Sequence, residues 1–421
     1  MIEIKCRSQI DSIVKIPGSK SISHRAIIAA VLAKGESLLE GFLVCEDTLY
    51  TINALRELGV KISIDREKTK VSGGGGEFAS SKGEKEIFLG NSGTSYRLLL
   101  STVALARGDF LLSGSPRLQE RPIGDLLRAL NLLGVNASCT EKDGFPPVLV
   151  HANGINGGKA SISGDVSSQY VSSLLLTAPY AKNDVEIEVK GRLVSGPYVD
   201  LTLDVMKGFG VSAVREGYNH FKITSGERYR PCKFNIEGDV SGASYFWAAA
   251  AVTGGIVTTK NIQARMTRQG DIRFLDVLEG MGCHVERGAD RVIVRGGSLS
   301  GINVDMSLMP DLVPTLAAVA LFADGKTVIH NVPHLRYKES DRLRSISLEW
   351  GRLGGQVEEL KDGLIIYGGR PLSGTVVEPH NDHRMAMSLA VVGLRVPGIM
   401  VKGEGCVNKS FPGFWELWGR L

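Results

Sequence analysis

One unit recurs six times along this chain of 421 residues. Each copy opens with a turn of small polar residues that runs into a helix rich in Ala, Leu and Val. A second landmark, a helical run ending in a small turn such as ALRELGV (residues 54–60), recurs with a similar period. A period this long exceeds that of short solenoid repeats, so each copy is interpreted as a subdomain of two helices and several strands. Markers of the polar turn lie 71 to 74 residues apart, at Ser19, Asn91, Asp165, Asp239, Asp311 and Asp382.

The first helix of each copy is apolar around nearly its whole circumference, which predicts that it is buried. Its opening residues are Ser, Asn, Asp or Thr, the types that cap helix N-termini. Short β-patterned runs, among them VEIEV (185–189) and RVIV (291–294), lie between the helices. Six such units divide most simply into two groups of three. The sequence therefore predicts an α/β protein, built of α+β repeats in two similar domains, with changeovers near residues 18–20 and 236–240.

The charge balance and the cysteines argue against several classes of protein. The net charge is +4, from 49 basic and 45 acidic residues, whereas nucleic-acid binders show a pronounced basic excess. No run approaches the roughly 20 apolar residues that span a bilayer, and the N-terminus has no apolar signal region. The six cysteines form no CxxC pair, which disfavours a zinc or redox motif. We expect a cytoplasmic protein with no nucleic-acid or membrane partner.

The polar turns combine helix starts with cations. A helix N-terminus presents free N–H groups and a partial positive charge, which suit an anion. The first turn also carries Lys20 and Arg25, the second Arg97 and the sixth Arg384. Each turn taken alone is more simply a helix cap. Taken together, with cations at similar offsets, they predict a site for polyanions if the helix starts converge.

Two other clusters allow more than one interpretation. In HLRYKESDRLRS (334–345), Lys338 and Glu339 would share a helix face with Arg342, and the simpler alternative is a solvated stripe of salt bridges. His380, Asp382 and His383 could suggest a metal cluster, but their spacing matches no standard zinc motif. We therefore expect no metal there.

An ordered set of motifs resembles the family of 5-enolpyruvylshikimate-3-phosphate synthases (3-phosphoshikimate 1-carboxyvinyltransferases). The resemblance extends from about Pro17 to Trp415. The motifs are PGSKSISHR, LGNSGTSYR, QERPIGDLLRAL, GDVSSQY, LVSGPYVDLTL, MPD, RYKESDRL, NDHRMAM and NKSFPGF.

The resemblance implies a fold and a reaction. The fold would be two domains of three βαβαββ units each (an inverse α/β barrel) with a ligand cleft between them. One domain would comprise residues 1–18 and 238–421, and the other residues 19–237. The reaction would transfer the enolpyruvyl group of phosphoenolpyruvate to the 5-hydroxyl of shikimate 3-phosphate and release phosphate. It would pass through a tetrahedral intermediate, as a step of aromatic amino acid (chorismate) biosynthesis.

The resemblance also implies the roles of individual residues. Asp311 would be the base toward the acceptor hydroxyl, Glu339 would serve the methylene, and Lys20 would lie close by. Neither a metal nor an organic cofactor would be required, and the protein would be a monomer. Phosphoenolpyruvate would be bound by Lys20, Gly93, Arg121, Gln169, Arg342, Arg384 and Lys409. Shikimate 3-phosphate would be bound by Lys20, Ser21, Arg25, Ser167, Ser168, Gln169, Ser195, Tyr198, Asp311, Lys338 and His334, the last of which stands where some members have Asn.

Two alternatives remain open at the level of sequence. UDP-N-acetylglucosamine enolpyruvyl transferases share the implied fold and reaction type. That family uses a loop cysteine near phosphoenolpyruvate, whereas the comparable stretch here, QERPIG (119–124), has none. The other alternative is a non-catalytic anion-binding repeat protein, which would have no use for the acid/base pair Asp311 and Glu339.

Overall fold

The structure is a computed structural model that describes residues 1–65 and 68–421. Over these residues the chain alternates short strands with helices, as the sequence predicts. The helices are α1 (Lys20–Leu32), α2 (Glu46–Glu57), α3 (Gly93–Val103), α4 (Pro116–Gln119), α5 (Gly124–Leu132), α6 (Ser168–Thr177), α7 (Pro197–Gly208), α8 (Val240–Thr253), α9 (Phe274–Gly280), α10 (Val313–Ala320), α11 (Arg342–Arg352), α12 (His383–Gly393) and α13 (Phe414–Trp418).

The strands are short. They are β1 (Ile2–Glu3), β2 (Asp11–Lys15), β3 (Lys34–Glu40), β4 (Lys61–Asp65), β5 (Lys68–Gly74), β6 (Lys85–Phe88), β7 (Arg107–Ser113), β8 (Asn136–Cys139), β9 (Val148–Asn153), β10 (Gly158–Ser163), β11 (Val185–Lys190), β12 (Val214–Glu216), β13 (His220–Ile223), β14 (Lys233–Asn235), β15 (Ile256–Lys260), β16 (His284–Arg287), β17 (Arg291–Arg295), β18 (Asn303–Asp305), β19 (Lys326–His330), β20 (Gln356–Glu359), β21 (Leu364–Tyr367), β22 (Val376–Val377) and β23 (Met400–Val401).

Five of the six sheets formed by the described residues share one topology. In the sheet β6-β7-β9-β8, β6 and β7 are parallel, and β9 runs antiparallel to both β7 and β8. The same pattern recurs in β10-β11-β13-β12, β14-β3-β5-β4, β2-β15-β17-β16 and β18-β19-β21-β20. The sixth sheet, β1-β23-β22, has three strands and also contains one parallel pair. The predicted class, an α/β protein of repeated α+β units, is confirmed.

The chain crosses twice between two compact units. Unit 1 comprises Met1–Pro17 and Glu237–Leu421, and unit 2 comprises Gly18–Ile236. A parallel pair requires a crossover connection, which α3, α6, α10 and α12 supply within their own sheets. The other two pairs combine strands that are distant in sequence. In unit 1 β2 pairs with β15, and in unit 2 β14 pairs with β3.

Glycines stand beside both crossings because the backbone is crowded there. A Cβ at Gly18 would lie 1.8 Å from the carbonyl oxygen of Gly41, and one at Gly238 would lie 2.4 Å from that of Asn261. No side chain fits at such distances.

The first helix of each repeat forms the core of its unit. Every residue of α12 is buried, and so is every residue of α8 except Ser241. The predicted burial of these helices is confirmed. Among the described residues, none of the helices combines the length and the apolar character that spanning a membrane requires.

Two local expectations are only partly correct. Ser92, Ser167, Asp239 and Asp382 cap their helices and are of the predicted types, whereas the Ser19 side chain makes no cap bond to α1 and Asp311 lies in the short 3-10 helix Pro310–Leu312. Lys338 and Glu339 do not lie on a helix with Arg342, because α11 begins only at Arg342.

Candidate active site

Arg342 is the centre of a buried charged cluster in unit 1. It is the first residue of α11, which starts there because the side chain of Asp341 caps the helix. Its guanidinium, 1% exposed, donates to Asp311 Oδ1 at 2.8 Å, to Glu339 Oε2 at 2.9 Å and to Asp382 Oδ2 at 2.8 Å. Three carboxylates on one planar fork fix its orientation. The interpretation of this segment as a solvated stripe is therefore wrong.

Asp311 lies where three cations meet. Its Oδ2 accepts a hydrogen bond from Arg384 Nη2 at 2.8 Å, and its Oδ1 lies 3.5 Å from Lys338 Nζ besides accepting from Arg342. Burial alone would raise the pKa of this carboxyl, but the charges of Arg384, Lys338 and Arg342 outweigh burial and hold the pKa well below its usual value. In this arrangement Asp311 is a stable anion. Its pKa depends on whether Arg384, Lys338 and Arg342 are also bound to other anions.

His334 borders the same cluster from the 3-10 helix Pro333–Tyr337. Its side chain is buried, and neither ring nitrogen has a hydrogen-bond partner within the described residues. Burial and the charge of Lys338, with a smaller contribution from Arg342, lower the pKa of His334 to about 3, although Asp311 acts in the opposite direction. The ring is therefore neutral at physiological pH and can offer a ligand one donor and one acceptor.

Lys409 and Arg384 are two further buried cations of unit 1. Arg384 is the second residue of α12, and Lys409 ends the 3-10 helix Glu404–Lys409, which packs against α12. Both side chains are less than a tenth exposed. Burying ammonium and guanidinium groups is costly, so their burial in one region points to anionic counterparts.

In unit 2, Lys20 is the first residue of α1. Its ammonium is buried and donates to Asp47 Oδ2 at 3.0 Å. Asp47 is in the first turn of α2, so the pair joins the starts of two helices. Hydrogen bonds link α1 and α2 to α3 as well: His24 Nδ1 lies 2.8 Å from Thr51 Oγ1, which donates to Ser95 Oγ at 2.9 Å.

Arg25 organises the neighbouring region of unit 2. Its guanidinium donates to Thr202 Oγ1 at 2.7 Å, to the Ser21 carbonyl at 2.9 Å, to the Tyr198 carbonyl at 3.1 Å and to Ser172 Oγ at 3.2 Å. Ser21 and Arg25 are four residues apart on α1 and therefore share one face of the helix. Burial lowers the pKa of Arg25 to about 10, partly offset by Tyr198, so the guanidinium stays charged at neutral pH.

Ser195 adjoins this network at the start of α7. Its backbone has a φ of +54°, and its carbonyl accepts from the Tyr198 N–H at 3.0 Å. Positive φ in a residue other than glycine is strained and is commonly held at functional sites.

The start of α3 meets Arg121. A Cβ added to Gly93 would lie 2.7 Å from Arg121 Cζ and 2.8 Å from each of its terminal nitrogens. The absence of a side chain at Gly93 is therefore what allows the buried guanidinium to lie against the helix start. An anion bound at this helix N-terminus would meet both N–H groups and the guanidinium.

The start of α6 is joined to α3 through Arg97. Its guanidinium donates to Gln169 Oε1 at 2.9 Å and to Ser167 Oγ at 3.3 Å, and Gln169 Nε2 donates to Thr94 Oγ1 at 3.0 Å. Ser168, which follows the Ser167 cap, is buried. Within unit 2, the predicted residues of the first three turns thus lie in hydrogen-bonded groups at helix starts.

The polar turns predict Arg97 as one of the cations of an anion site, and it stands six residues after its marker Asn91, as Arg25 does after Ser19. The sequence predicts no role for Asp47. Asp47 offered no such signal, since its pairing with Lys20 depends on how α2 packs on α1.

Comparisons with known proteins find matches over nearly the whole chain. A family model described as EPSP synthase (3-phosphoshikimate 1-carboxyvinyltransferase) matches residues 4–418. A 3-phosphoshikimate 1-carboxyvinyltransferase of Shewanella sp. (strain W3-18-1) is 42% identical over 416 residues, which are 98% of this chain and 97% of the relative. One from Shewanella denitrificans is 43% identical over 415 residues, 98% of this chain and 96% of the relative.

Solved structures give the same result for the fold. A structure of EPSP synthase from Acinetobacter baumannii superposes with a TM-score of 0.82 at 28% identity, over 99% of this chain and 97% of that chain. A second structure of EPSP synthase from the same organism gives a TM-score of 0.81.

Proposed function

The chain belongs to the EPSP synthase family, and from this premise we propose that it transfers the enolpyruvyl group of phosphoenolpyruvate to the 5-hydroxyl of shikimate 3-phosphate and releases phosphate. The cluster in which Arg342, Arg384 and Lys338 surround Asp311 carries this proposal, because it combines cations for anionic ligands with a carboxylate that can move a proton.

Phosphoenolpyruvate is assigned to five buried cations, to Gly93 for a close backbone approach and to the amide of Gln169. An arginine fork binds carboxylate or phosphate in bidentate fashion, and several cations are needed because two multiply charged anions repel each other. The assigned residues are Arg342, Arg384 and Lys409 of unit 1 and Lys20, Gly93, Arg121 and Gln169 of unit 2.

Shikimate 3-phosphate is assigned to residues that combine hydroxyls, cations and one neutral imidazole. The hydroxyl groups suit the ring hydroxyls of the acceptor, and Arg25 suits its phosphate. The assigned residues are Lys20, Ser21, Arg25, Ser167, Ser168, Gln169, Ser195 and Tyr198 of unit 2 and Asp311, His334 and Lys338 of unit 1.

Asp311 is the proposed base toward the acceptor hydroxyl. Its carboxylate now accepts from Arg342 and Arg384, which keep its pKa low. When the phosphate and carboxylate of phosphoenolpyruvate occupy these guanidiniums, their charge no longer acts fully on Asp311. The pKa of Asp311 then rises toward a range in which it can take the proton.

Glu339 is proposed to serve the methylene carbon. As the acceptor oxygen attacks C2 of phosphoenolpyruvate, C3 takes a proton from Glu339 and becomes a methyl, which gives the tetrahedral intermediate. The intermediate then loses phosphate, which takes up the proton held by Asp311, and the methyl returns its proton to Glu339 as the vinyl group forms. Lys20, a buried ammonium at a helix start, is proposed to stabilise negative charge on the ligands.

We also propose that the enzyme is a cytoplasmic monomer that binds neither nucleic acid nor membranes. The nearly balanced charge of the chain supports this assignment. Size-exclusion chromatography with light scattering should give a mass near 45.3 kDa.

Release of inorganic phosphate from phosphoenolpyruvate tests the proposed function. Phosphate should appear with shikimate 3-phosphate as acceptor and not with UDP-N-acetylglucosamine. Turnover with the nucleotide sugar alone would assign the chain to the other transferase branch. Binding of both substrates without phosphate release would identify an anion-binding protein.

The role of Asp311 is tested by Asp311→Asn. The amide cannot accept the hydroxyl proton, so kcat should fall by about 10²- to 10⁴-fold. Asp276→Asn, at a carboxylate whose side chain is 70% exposed, is the matched control and should leave kcat unchanged. Near-normal turnover by the Asp311 variant would exclude this carboxylate as the base.

A further inference from the structure

The turn that precedes Asp382 has a strained backbone. His380 and Asn381 follow each other with φ values of +55° and +54°. One such residue other than glycine is uncommon, and two in succession persist only where neighbouring contacts hold them. Asp382, which follows directly, caps α12 and binds Arg342. The turn therefore determines where the carboxylate of Asp382 lies.

The side chain of Glu349 holds this turn. Glu349 is completely buried, and its Oε1 lies 3.0 Å from His380 Nε2, while its Oε2 accepts from the Glu378 backbone N–H at 3.0 Å. The His380 backbone N–H in turn bonds to Glu378 Oε1 at 3.3 Å. A further donor, Arg352 Nη1, reaches Glu349 Oε1 at 3.0 Å from a side chain that is 49% exposed. The buried carboxylate thus ties together both ends of the segment 378–380.

Glu349 and Arg342 belong to the same helix. They are seven residues apart, which is about two turns of α11, so they lie on one face of it. The same face therefore contacts the segment twice, once through Glu349 at His380 and once through Arg342 at Asp382. Asp382 also accepts from Ser340 Oγ at 3.1 Å and from the Arg384 N–H at 3.0 Å.

We propose that Glu349 is a positioning residue, which through His380 fixes the turn that sets Asp382. Through Asp382 it sets the guanidinium of Arg342 and the backbone of Arg384 at the start of α12. This inference rests on the proposed function, because those two arginines are the residues assigned to phosphoenolpyruvate. Glu349 touches neither substrate in this account. Its effect arises because a misplacement of about 1 Å in a binding group can cost roughly 10²-fold in rate.

The test compares Glu349→Gln with a matched control. Glutamine keeps the volume but loses the charge and one acceptor oxygen, so kcat/KM for phosphoenolpyruvate should fall about 10- to 100-fold. The control is Arg352→Ala, which removes another partner of the same carboxylate without touching the turn. It should stay within about twofold of the wild type.

A second variant tests the route through His380. Glycine at position 380 adopts positive φ without strain but cannot bond to Glu349. His380→Gly should therefore lower kcat/KM to a similar extent as Glu349→Gln. The double variant should be no worse than the poorer single variant, because both changes break the same contact. If the losses in kcat/KM of the two single variants were fully additive in the double variant, Glu349 would not act through His380.

Hydrogen exchange gives a readout that needs no turnover. The amides of residues 382–386 should exchange faster in Glu349→Gln than in the wild type and should be unchanged in Arg352→Ala. Exchange at the wild-type rate, or a kcat/KM within threefold of the wild type, would overturn the inference. The inference would also be overturned if Glu349→Gln and Arg352→Ala lost activity in the same proportion to their fall in melting temperature. If the wild type itself does not turn over shikimate 3-phosphate, the proposed function fails, while the exchange experiment still decides the role of Glu349 in the turn.

Discussion

Gly93 and Arg121 form a contact that one methyl group would abolish. A Cβ at position 93 would lie 2.7 Å from Arg121 Cζ, closer than real Cβ atoms approach other heavy atoms. The resemblance to the family implies that Gly93 binds phosphoenolpyruvate. The structure adds that the glycine also makes room for the guanidinium proposed to bind the same ligand.

Gly93→Ala should therefore raise the KM for phosphoenolpyruvate about tenfold or more, because the added methyl displaces the guanidinium from the helix start. The effect on kcat should be smaller than that on KM. Gly83→Ala is the control, since a Cβ there meets nothing within 4 Å. Steady-state kinetics with shikimate 3-phosphate at saturation measure both values. An unchanged KM would mean that Arg121 does not bind this substrate.

At the scale of elements, the starts of α11 and α12 are locked together. Asp341 and Asp382 both cap a helix through their side chains, but only Asp382 also binds the guanidinium of Arg342 in the core of the cluster. Two aspartates that cap helices in the same way can therefore contribute very different amounts to the free energy of unfolding. Asp341 also pairs with Arg336 at 3.1 Å, but both side chains are partly exposed and solvent weakens that pair, whereas Asp382 neutralises a fully buried guanidinium.

Asp382→Ala should destabilise the protein by about 3–5 kcal/mol, because it leaves the buried Arg342 without one of its partners. Asp341→Ala should cost about 0.5–2 kcal/mol, the usual cost of a lost helix cap. Urea unfolding of the two variants measures the difference. Equal losses would show that the ion pair with Arg342 adds nothing to the cap.

A second element-level feature is Asp271, which joins the 3-10 helix Gly270–Arg273 to the first turn of α8. It is buried, one oxygen accepts from the Ser241 hydroxyl, and the other has no hydrogen-bond partner within the described residues. Burial and the nearby charge of Asp311 raise the pKa of this carboxyl to about 7, although Arg384 partly offsets them.

The folded state therefore keeps a proton on Asp271 that the unfolded chain releases near pH 4. Because the folded state binds more protons, stability falls as the pH rises from about 4 to 7. Asp271→Asn should remove this dependence. It should raise the free energy of unfolding at pH 8 by up to a few kcal/mol and have little effect at pH 4. Denaturant unfolding at both pH values measures this, and an equal change at both would contradict the raised pKa.

At the scale of the whole molecule, the same subdomain carries different chemistry in each unit. Unit 1 contributes the carboxylates proposed for acid/base catalysis, together with Arg342, Arg384 and Lys409. Unit 2 contributes mostly hydroxyls and cations at the starts of α1, α3 and α6. The residues proposed to bind the two ligands come from both units.

Arg121→Ala in unit 2 and Arg384→Ala in unit 1 should each raise the KM for phosphoenolpyruvate by about 10- to 100-fold, the effect of losing one charge-assisted pair. Arg128→Ala and Arg420→Ala are controls in the same units, because these side chains are 69% and 67% exposed. Initial-rate kinetics measure the KM for phosphoenolpyruvate in all four variants. If only one of the two substitutions raises KM, phosphoenolpyruvate is bound by that unit alone.

The sequence alone determined the repeated helices, strands and turns, because each of these elements depends on a local pattern of residues. Apolar helices, short strands and polar turns are encoded within a few residues of one another, and all of these recur in the structure. Ser21 and Arg25 could be placed together for the same reason, since helix geometry relates residues four apart. The ordered motifs likewise indicated the family and the assigned ligand residues.

Only the tertiary structure decided the contacts that join distant segments. It pairs β2 with β15 and β14 with β3, it places Asp47 on Lys20, and it brings Asp382 and Glu349 to the face of α11. It also starts α11 at Arg342, because the cap at Asp341 outweighs the charge pattern that suggested an earlier start. Such contacts depend on how helices and sheets pack, and packing joins residues whose spacing in the chain carries no signal.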